Sequence, residues 1–171
     1  MRHSTCVPLL VVLASFACAA DSLVLGDSDE NPTSESENQV LSVEVIPEVH
    51  NAVISGIRDG RRTVIRTASE WEEFWREFTG AIVPAPDPPA IDFDVLMVIV
   101  AAMGERSTGG YSIAIEDVTD REDGVTARVV ESSPGANCVL AQVITAPVTA
   151  VSVTRREGSA VFVEETKTEE C

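Results

Sequence analysis

The chain has 171 residues and carries 28 acidic against 12 basic side chains, a formal net charge of −16 at pH 7. That length suits one domain with additional segments. Such acidity excludes nucleic acid as a partner, because phosphate neutralisation needs a basic face, and it excludes an electrostatic grip on anionic membranes.

Residues 1–17 read as a signal peptide. Arg2 and His3 precede an apolar run from Val7 to Ala17, too short for a stable bilayer span and suited to an export signal. The cleavage site has two readings. Ser15-Phe-Ala-Cys18 resembles a bacterial lipobox, which would leave a lipidated Cys18 and an anchor in the cell envelope. An Ala-x-Ala cut at Ala17 and Ala19 would instead release a soluble secreted protein. Residues 18–39 then form a polar, acidic linker without aromatics, which cannot offset the entropy of ordering. Asp27, Asp29 and Asn31 are spaced as in a calcium loop, but the glycine and terminal glutamate of an EF-hand are missing, so no metal is assigned.

The domain is expected over residues 40–171. Val40–Ile46 and Arg62–Arg66 read as strands separated by Gly56 and Asp59-Gly60. Ser69, with Glu72 three residues on, fits a capping box, and Trp71, Phe74, Trp75 and Phe78 then share one helical face that ends at Thr79-Gly80. Pro84, Pro86, Pro88 and Pro89 make a stiff extended connector. Val95–Ala102 is apolar on both faces and predicts a central strand. Tyr111–Thr119 and Val125–Glu131 alternate around a turn at Asp123-Gly124, and Cys138–Thr145, Val148–Thr154 and Ala160–Glu165 read as further strands. Thr166–Glu170 reads as a tail. Six or more short strands with one amphipathic helix predict an α+β domain with a mainly antiparallel β architecture.

Chemistry-bearing patterns are few. His50 is the only histidine after export, and no zinc-type spacing surrounds it. No Gly-x-Ser-x-Gly elbow or lysine-bearing phosphate loop exists, Lys167 falls in the tail, and Asp92/Asp94 and Glu116/Asp117 sit at spacings that point apart on a strand. No catalytic residue and no cofactor is assigned. Arg61-Arg62 and Arg155-Arg156 read as solvated strand ends. Cys138 and Cys171 remain in the folded part of an exported chain, where a disulfide is the expected state.

The stretch Val95–Met103, a glycine-rich loop, and Tyr111, Ile113, Ile115 together give a hairpin signal. The loop holds Gly104, Arg106, Ser107, Thr108, Gly109, Gly110 and Tyr111. Hydrogen-bond donors and an aromatic beside glycines permit close backbone approach and make a candidate partner-binding surface, with Tyr111 as anchor. A turn with no further role is the competing reading.

With its flanks, this block resembles the PrcB C-terminal domain, named for an accessory subunit of a bacterial surface protease complex. Ile91-Asp-Phe-Asp-Val-Leu-Met-Val-Ile-Val resembles its lead-in, Ser69-Glu-Trp-Glu-Glu-Phe-Trp its short helix, and Ser133-Pro-Gly with Thr145-Ala-Pro-Val its downstream segment, where Val148 replaces an aromatic. The resemblance covers about residues 50–171. It implies a non-catalytic protein that stabilises or assembles a protein partner, usually an exported protease. Thr108-Gly-Gly-Tyr111 is also similar to the loop of chagasin-type peptidase inhibitors, although the flanking Asn-Pro and Trp are absent.

Overall fold

The computed structural model describes residues 39–171; the signal peptide, Cys18 and nearly all of the linker lie outside the described residues. In chain order the elements are β1 (Glu44–Val45), β2 (Arg61–Ile65), α1 (Ala68–Phe78) with a 3-10 turn at Thr79–Ala81, β3 (Leu96–Ala102), β4 (Ser112–Arg121), β5 (Gly124–Pro134), β6 (Val148–Thr154) and β7 (Ser159–Glu169). Four strands form an antiparallel sheet in the order β1-β6-β3-β2, and three form a second sheet in the order β4-β5-β7. The architecture is α+β and mainly antiparallel, as the pattern predicts. The departure is β7, which pairs with β5 in parallel from Gly124↔Ser159 to Pro134↔Glu169. Parallel neighbours need a crossover connection. Here it is the 135–147 loop followed by β6, which lies in the other sheet.

Strand β3 is buried on both faces, as its unbroken apolar run requires. Successive side chains leave a strand on opposite sides. Met97, Ile99 and Ala101 therefore enter a core between the sheets with Ile113, Ile115, Val118, Val125 and Val129. Val98, Val100 and Ala102 enter a second core against Trp71, Phe74, Trp75 and Phe78 of α1. The helix's aromatic stripe is thus core, each ring about 3–4% exposed. The indole N–H groups of Trp71 and Trp75 donate to the Pro89 and Pro86 carbonyls at 3.0 and 2.7 Å. The proline connector supplies acceptors that these buried donors need.

Helix α1 is capped two residues earlier than the Ser69/Glu72 pair predicts. Its N-cap is Thr67, and the capping box closes with Glu70, whose carboxylate accepts from the Arg66 and Thr67 backbone N–H groups at 2.9 and 3.1 Å. Both Thr67/Glu70 and Ser69/Glu72 satisfy the Ser/Thr-x-x-Glu spacing. The earlier pair prevails because it sits at the exit of β2, where two backbone donors converge on one carboxylate. The Arg66 N–H, with Thr67, holds the Glu70 carboxyl below its ordinary value, against a smaller effect of desolvation.

Other expectations fail for reasons of partner choice. β3 and β4 do not form a hairpin, because β3 already has β2 and β6 on its two edges while β4 pairs with β5. Residues 40–46 are not one strand. Val40 bridges to Thr119 on one sheet, whereas Glu44 and Val45 pair with Ser152 and Val151 on the other. The Cys138–Thr145 strand is absent and the segment is irregular. The expected tail Thr166–Glu170 continues β7 as far as Glu169.

Glu116 sits at a register shift in β4, between Ile115 and Asp117. The extra residue changes the spacing of inward side chains, so that Ile113, Ile115 and Val118 all reach the core. It also turns adjacent carboxylates toward one partner. Glu116 and Asp117 both pair with Arg128, Asp117 at 2.7 Å, rather than pointing apart.

The arginine pairs are not simply solvated strand ends. Arg62, on β2, reaches the other sheet, donating to Glu164 of β7 at 2.8 and 2.9 Å and to Glu131 of β5 at 2.6 Å. Its remaining nitrogen donates to the Ala102 and Arg61 carbonyls at 2.8 and 3.1 Å. Burial opposes its charge, but the hydrogen bonds to Glu164 and Glu131 outweigh that and raise the guanidinium pKa. Arg156 binds Asp120 at 2.8 Å, and Arg155 binds the Phe93 and Arg66 carbonyls.

Two variants test this account. Arg62→Ala leaves half-buried Glu131 and exposed Glu164 without their shared cation, and chemical denaturation should register a loss of about 1–3 kcal/mol, with Arg62→Lys intermediate. The Glu70 carboxyl has a depressed folded-state pKa, so its stabilisation is present above its unfolded-state value and disappears as pH falls through the folded value. Glu70→Gln should accordingly lower the melting temperature at neutral pH, and the gap from the parent should close on acidification. A gap independent of pH contradicts this.

Candidate partner-binding surface

The glycine-rich loop connects β3 in one sheet to β4 in the other. It does not project alone. Arg106 and Thr145 exchange backbone hydrogen bonds at 2.8 and 3.0 Å, the Gly109 N–H donates to the Ala141 carbonyl at 2.9 Å, and the Thr145 hydroxyl donates to the Thr108 carbonyl at 2.9 Å. The 104–111 loop is therefore laced along the 135–147 loop. A third segment joins them, since the Ala146 N–H donates to the Val53 carbonyl and the Ser55 hydroxyl to that of Ala146.

Two of the three glycines answer a backbone demand. Gly104 has φ +74°, and a Cβ there would lie 2.6 Å from the Arg58 carbonyl oxygen and the Gly60 nitrogen. Gly110 has φ +93°, with Leu140 and Pro134 side chains 3.0–3.2 Å from where a Cβ would stand. Both positions disfavour any L side chain. Gly109 has neither constraint, as its nearest neighbour, the Ala141 Cβ, would be in ordinary contact at 3.7 Å.

Tyr111 is half-buried and packs against the core between the sheets. The Arg106 guanidinium lies 5.7 Å from its ring centroid, within cation–π range. Ser107 is exposed and Thr108 half-buried. The structure thus brings Arg106 and Tyr111 together and assigns Gly104 and Gly110 a part in shaping the loop.

The sequence reading missed the neighbouring side chains. Val139 is fully exposed, Ile144 is 67% exposed and Val143 49%, and Ile54 and Val53 on the third segment are 60% and 48% exposed. Read as a strand, Cys138–Thr145 should have buried alternate members of this set. Nothing in the local sequence distinguishes a buried apolar run from one displayed on a loop.

Cys138 and Cys171 form a disulfide, with Cα atoms 5.5 Å apart and a separation of 33 residues. The Gly135 N–H donates to the Glu169 carbonyl beside it. Bond and disulfide together fix the start of the exposed loop to the end of β7.

The polar side chains considered for catalysis have other partners. Asp92 accepts from the Asp94 backbone N–H at 3.0 Å, closing a turn ahead of β3. Lys167 lies on β7 and binds Glu116 and Glu165 at 3.2 and 3.4 Å. The Lys167 hydrogen bond, joined by the Arg128 charge, holds Glu116 below its ordinary pKa against desolvation. His50 is exposed and contacts the Asn51 side chain. Among the described residues no three His, Cys, Asp or Glu side chains converge as metal ligands would.

Comparison with known families bears on this same surface. Residues 97–154 match the family model described as PrcB C-terminal. The match runs from β3 through both laced loops to the end of β6, and leaves α1 and β7 outside. The resemblance read from the sequence is therefore met over this segment. No curated protein and no solved structure matches the chain.

Removing the disulfide tests how the exposed loop is held. Cys171→Ser should cost at most about 4 kcal/mol in the chain-entropy model for a loop of this length, and hydrogen exchange should rise first at 135–140 and the end of β7. Thiol titration of the unreduced parent should find neither Cys138 nor Cys171 reactive.

Proposed function

We propose that this chain is an exported, non-catalytic accessory protein that holds a protein partner against the laced loops, an exported protease being the partner class that the PrcB C-terminal match suggests. The observation that carries the reading is the exposure of Val139, Val143 and Ile144 in a domain whose two cores are already filled. Apolar side chains grouped on a hydrogen-bonded loop, beside an arginine and a half-buried tyrosine, have the composition of an interface centre. In the same proposal Cys18 carries lipid, and the acidic linker spaces the domain from an envelope membrane.

The peptidase-inhibitor alternative needs a loop free to enter a cleft. Hydrogen bonds that tie Arg106, Thr108 and Gly109 to the second loop leave less of such a finger, which favours the accessory reading.

A photo-crosslinking residue placed at Val143, in native cells, is the test. It should trap one exported protease from the detergent fraction, while the same residue at Val161 on β7 should not. Val139→Asp with Ile144→Asp, and Arg106→Ala separately, should lower that yield at least about tenfold with the melting temperature nearly unchanged. Equal trapping from both positions overturns the proposal. Stoichiometric inhibition of papain by the purified chain would replace it with the inhibitor reading.

A further inference from the structure

Strand β2 is an edge of its sheet. In an antiparallel ladder alternate N–H and C=O groups point away from the partner. On β2 these outward groups bond to no other backbone among the described residues. Such an edge is a template for a further strand.

Beside that edge lies a cavity of about 210 Å³, between Thr63 and Ile65 of β2 and Glu73, Phe74 and Glu77 of α1. Its wall is unevenly charged. Glu70 is engaged in the capping box and Glu77 binds Arg61 at 2.7 Å, whereas Glu73 is exposed. Arg61 contributes a second sign of an absent partner, because its Nε is buried without a hydrogen-bond acceptor. A buried donor left unpaired is costly, and a turn of the Arg61 side chain away from Glu77 would offer it to a backbone carbonyl laid along the edge.

Of the second sheet's edges, β4 is partly covered by residues 39–41, and β7 is built differently from β2. Along β7, Glu164 pairs with Arg62, and Glu165 and Lys167 pair with Arg128 and Glu116. Fixed charges of this kind discourage strand addition. β2 also carries two charges, but Arg62 is turned onto the second sheet and Arg61 onto Glu77, and the cavity opens beside them.

The geometry points to the β2 edge and the α1 wall as a groove for an extended, basic peptide segment of a partner protein, added to the sheet as a strand. Backbone bonds would supply affinity, and Glu73, the cavity carboxylate engaged in neither an ion pair nor the capping box among the described residues, would favour a lysine or arginine beside it. The acidic stretch Asp27–Glu37 of this chain is excluded as occupant by its own charge. This inference is independent of the laced-loop surface.

The test uses the full chain and a fluorescein-labelled decapeptide of alternating lysine and threonine. Fluorescence anisotropy should give saturable binding that weakens with added salt. Glu73→Lys, an exposed change, should weaken it about fivefold or more, and a peptide with prolines at two central positions should fail to bind. Hydrogen exchange should slow at the outward amides of Arg61–Ile65 when peptide is added. Equal binding of an alternating glutamate–threonine peptide overturns the inference. So does indifference to proline or to Glu73→Lys, protection appearing on β7 or at 139–144 instead, or no binding at millimolar peptide. Val139→Asp with Ile144→Asp should leave peptide binding intact, so that failure of the loop proposal and failure of this one are separable.

Discussion

Strand β3 has no polar face, and the molecule is organised around covering it twice. Its odd-numbered side chains need one apolar partner surface and its even-numbered ones another. The second sheet covers one side and α1 the other. Each fully buried aliphatic side chain contributes on the order of 1.5–3 kcal/mol, so neither cover is dispensable. The edges follow from the same demand: β2 and β6 flank β3, and no position beside it remains for β4. The chain after β3 must leave the sheet, and the glycine-rich loop is that exit.

Polar chemistry then fixes how the layers sit. Arg62 has its donors directed to two carboxylates and two carbonyls, and those acceptors belong to both sheets. Arg156 and Asp120 make a second link of the same kind. Apolar packing between sheets is non-directional, whereas a guanidinium satisfied in a planar fork is directional. The arginines therefore contribute alignment as well as stability. The outer face of the second sheet uses Arg128 and Lys167 among Glu116, Asp117 and Glu165 in the same manner, which relieves local repulsion in a chain of strong negative charge.

The laced loops are a consequence of topology before they are a surface. One leads from β3 into β4 and the other from β5 into β6, so both pass between the sheets, where their backbones exchange hydrogen bonds. Those bonds and the disulfide hold apolar side chains outside the cores without burying them. A displayed set of this kind can meet a partner without first being ordered, which lowers the entropic cost of association.

The sequence by itself determined what short-range rules govern. The two-sided apolar run of β3, the aromatic stripe of α1 and the cysteine pair were legible, and so was a turn between β4 and β5, read at Asp123-Gly124 although it falls at Glu122–Asp123 with Gly124 already in β5; each depends on periodicity, turn chemistry or redox compartment. The glycine-rich loop was legible as a feature, and Gly104 and Gly110 have the positive φ that their residue type suggests. What tertiary structure alone decided was partnership. Residues 40–46 could not reveal that they are shared between two sheets, nor Arg62 that two glutamates more than sixty residues away would receive it. The run Val139–Ile144 is as apolar as a strand. It lies on the surface, laced to the 104–111 loop, while β6 holds the place beside β3, and which segment takes that edge is a property of the assembled sheet.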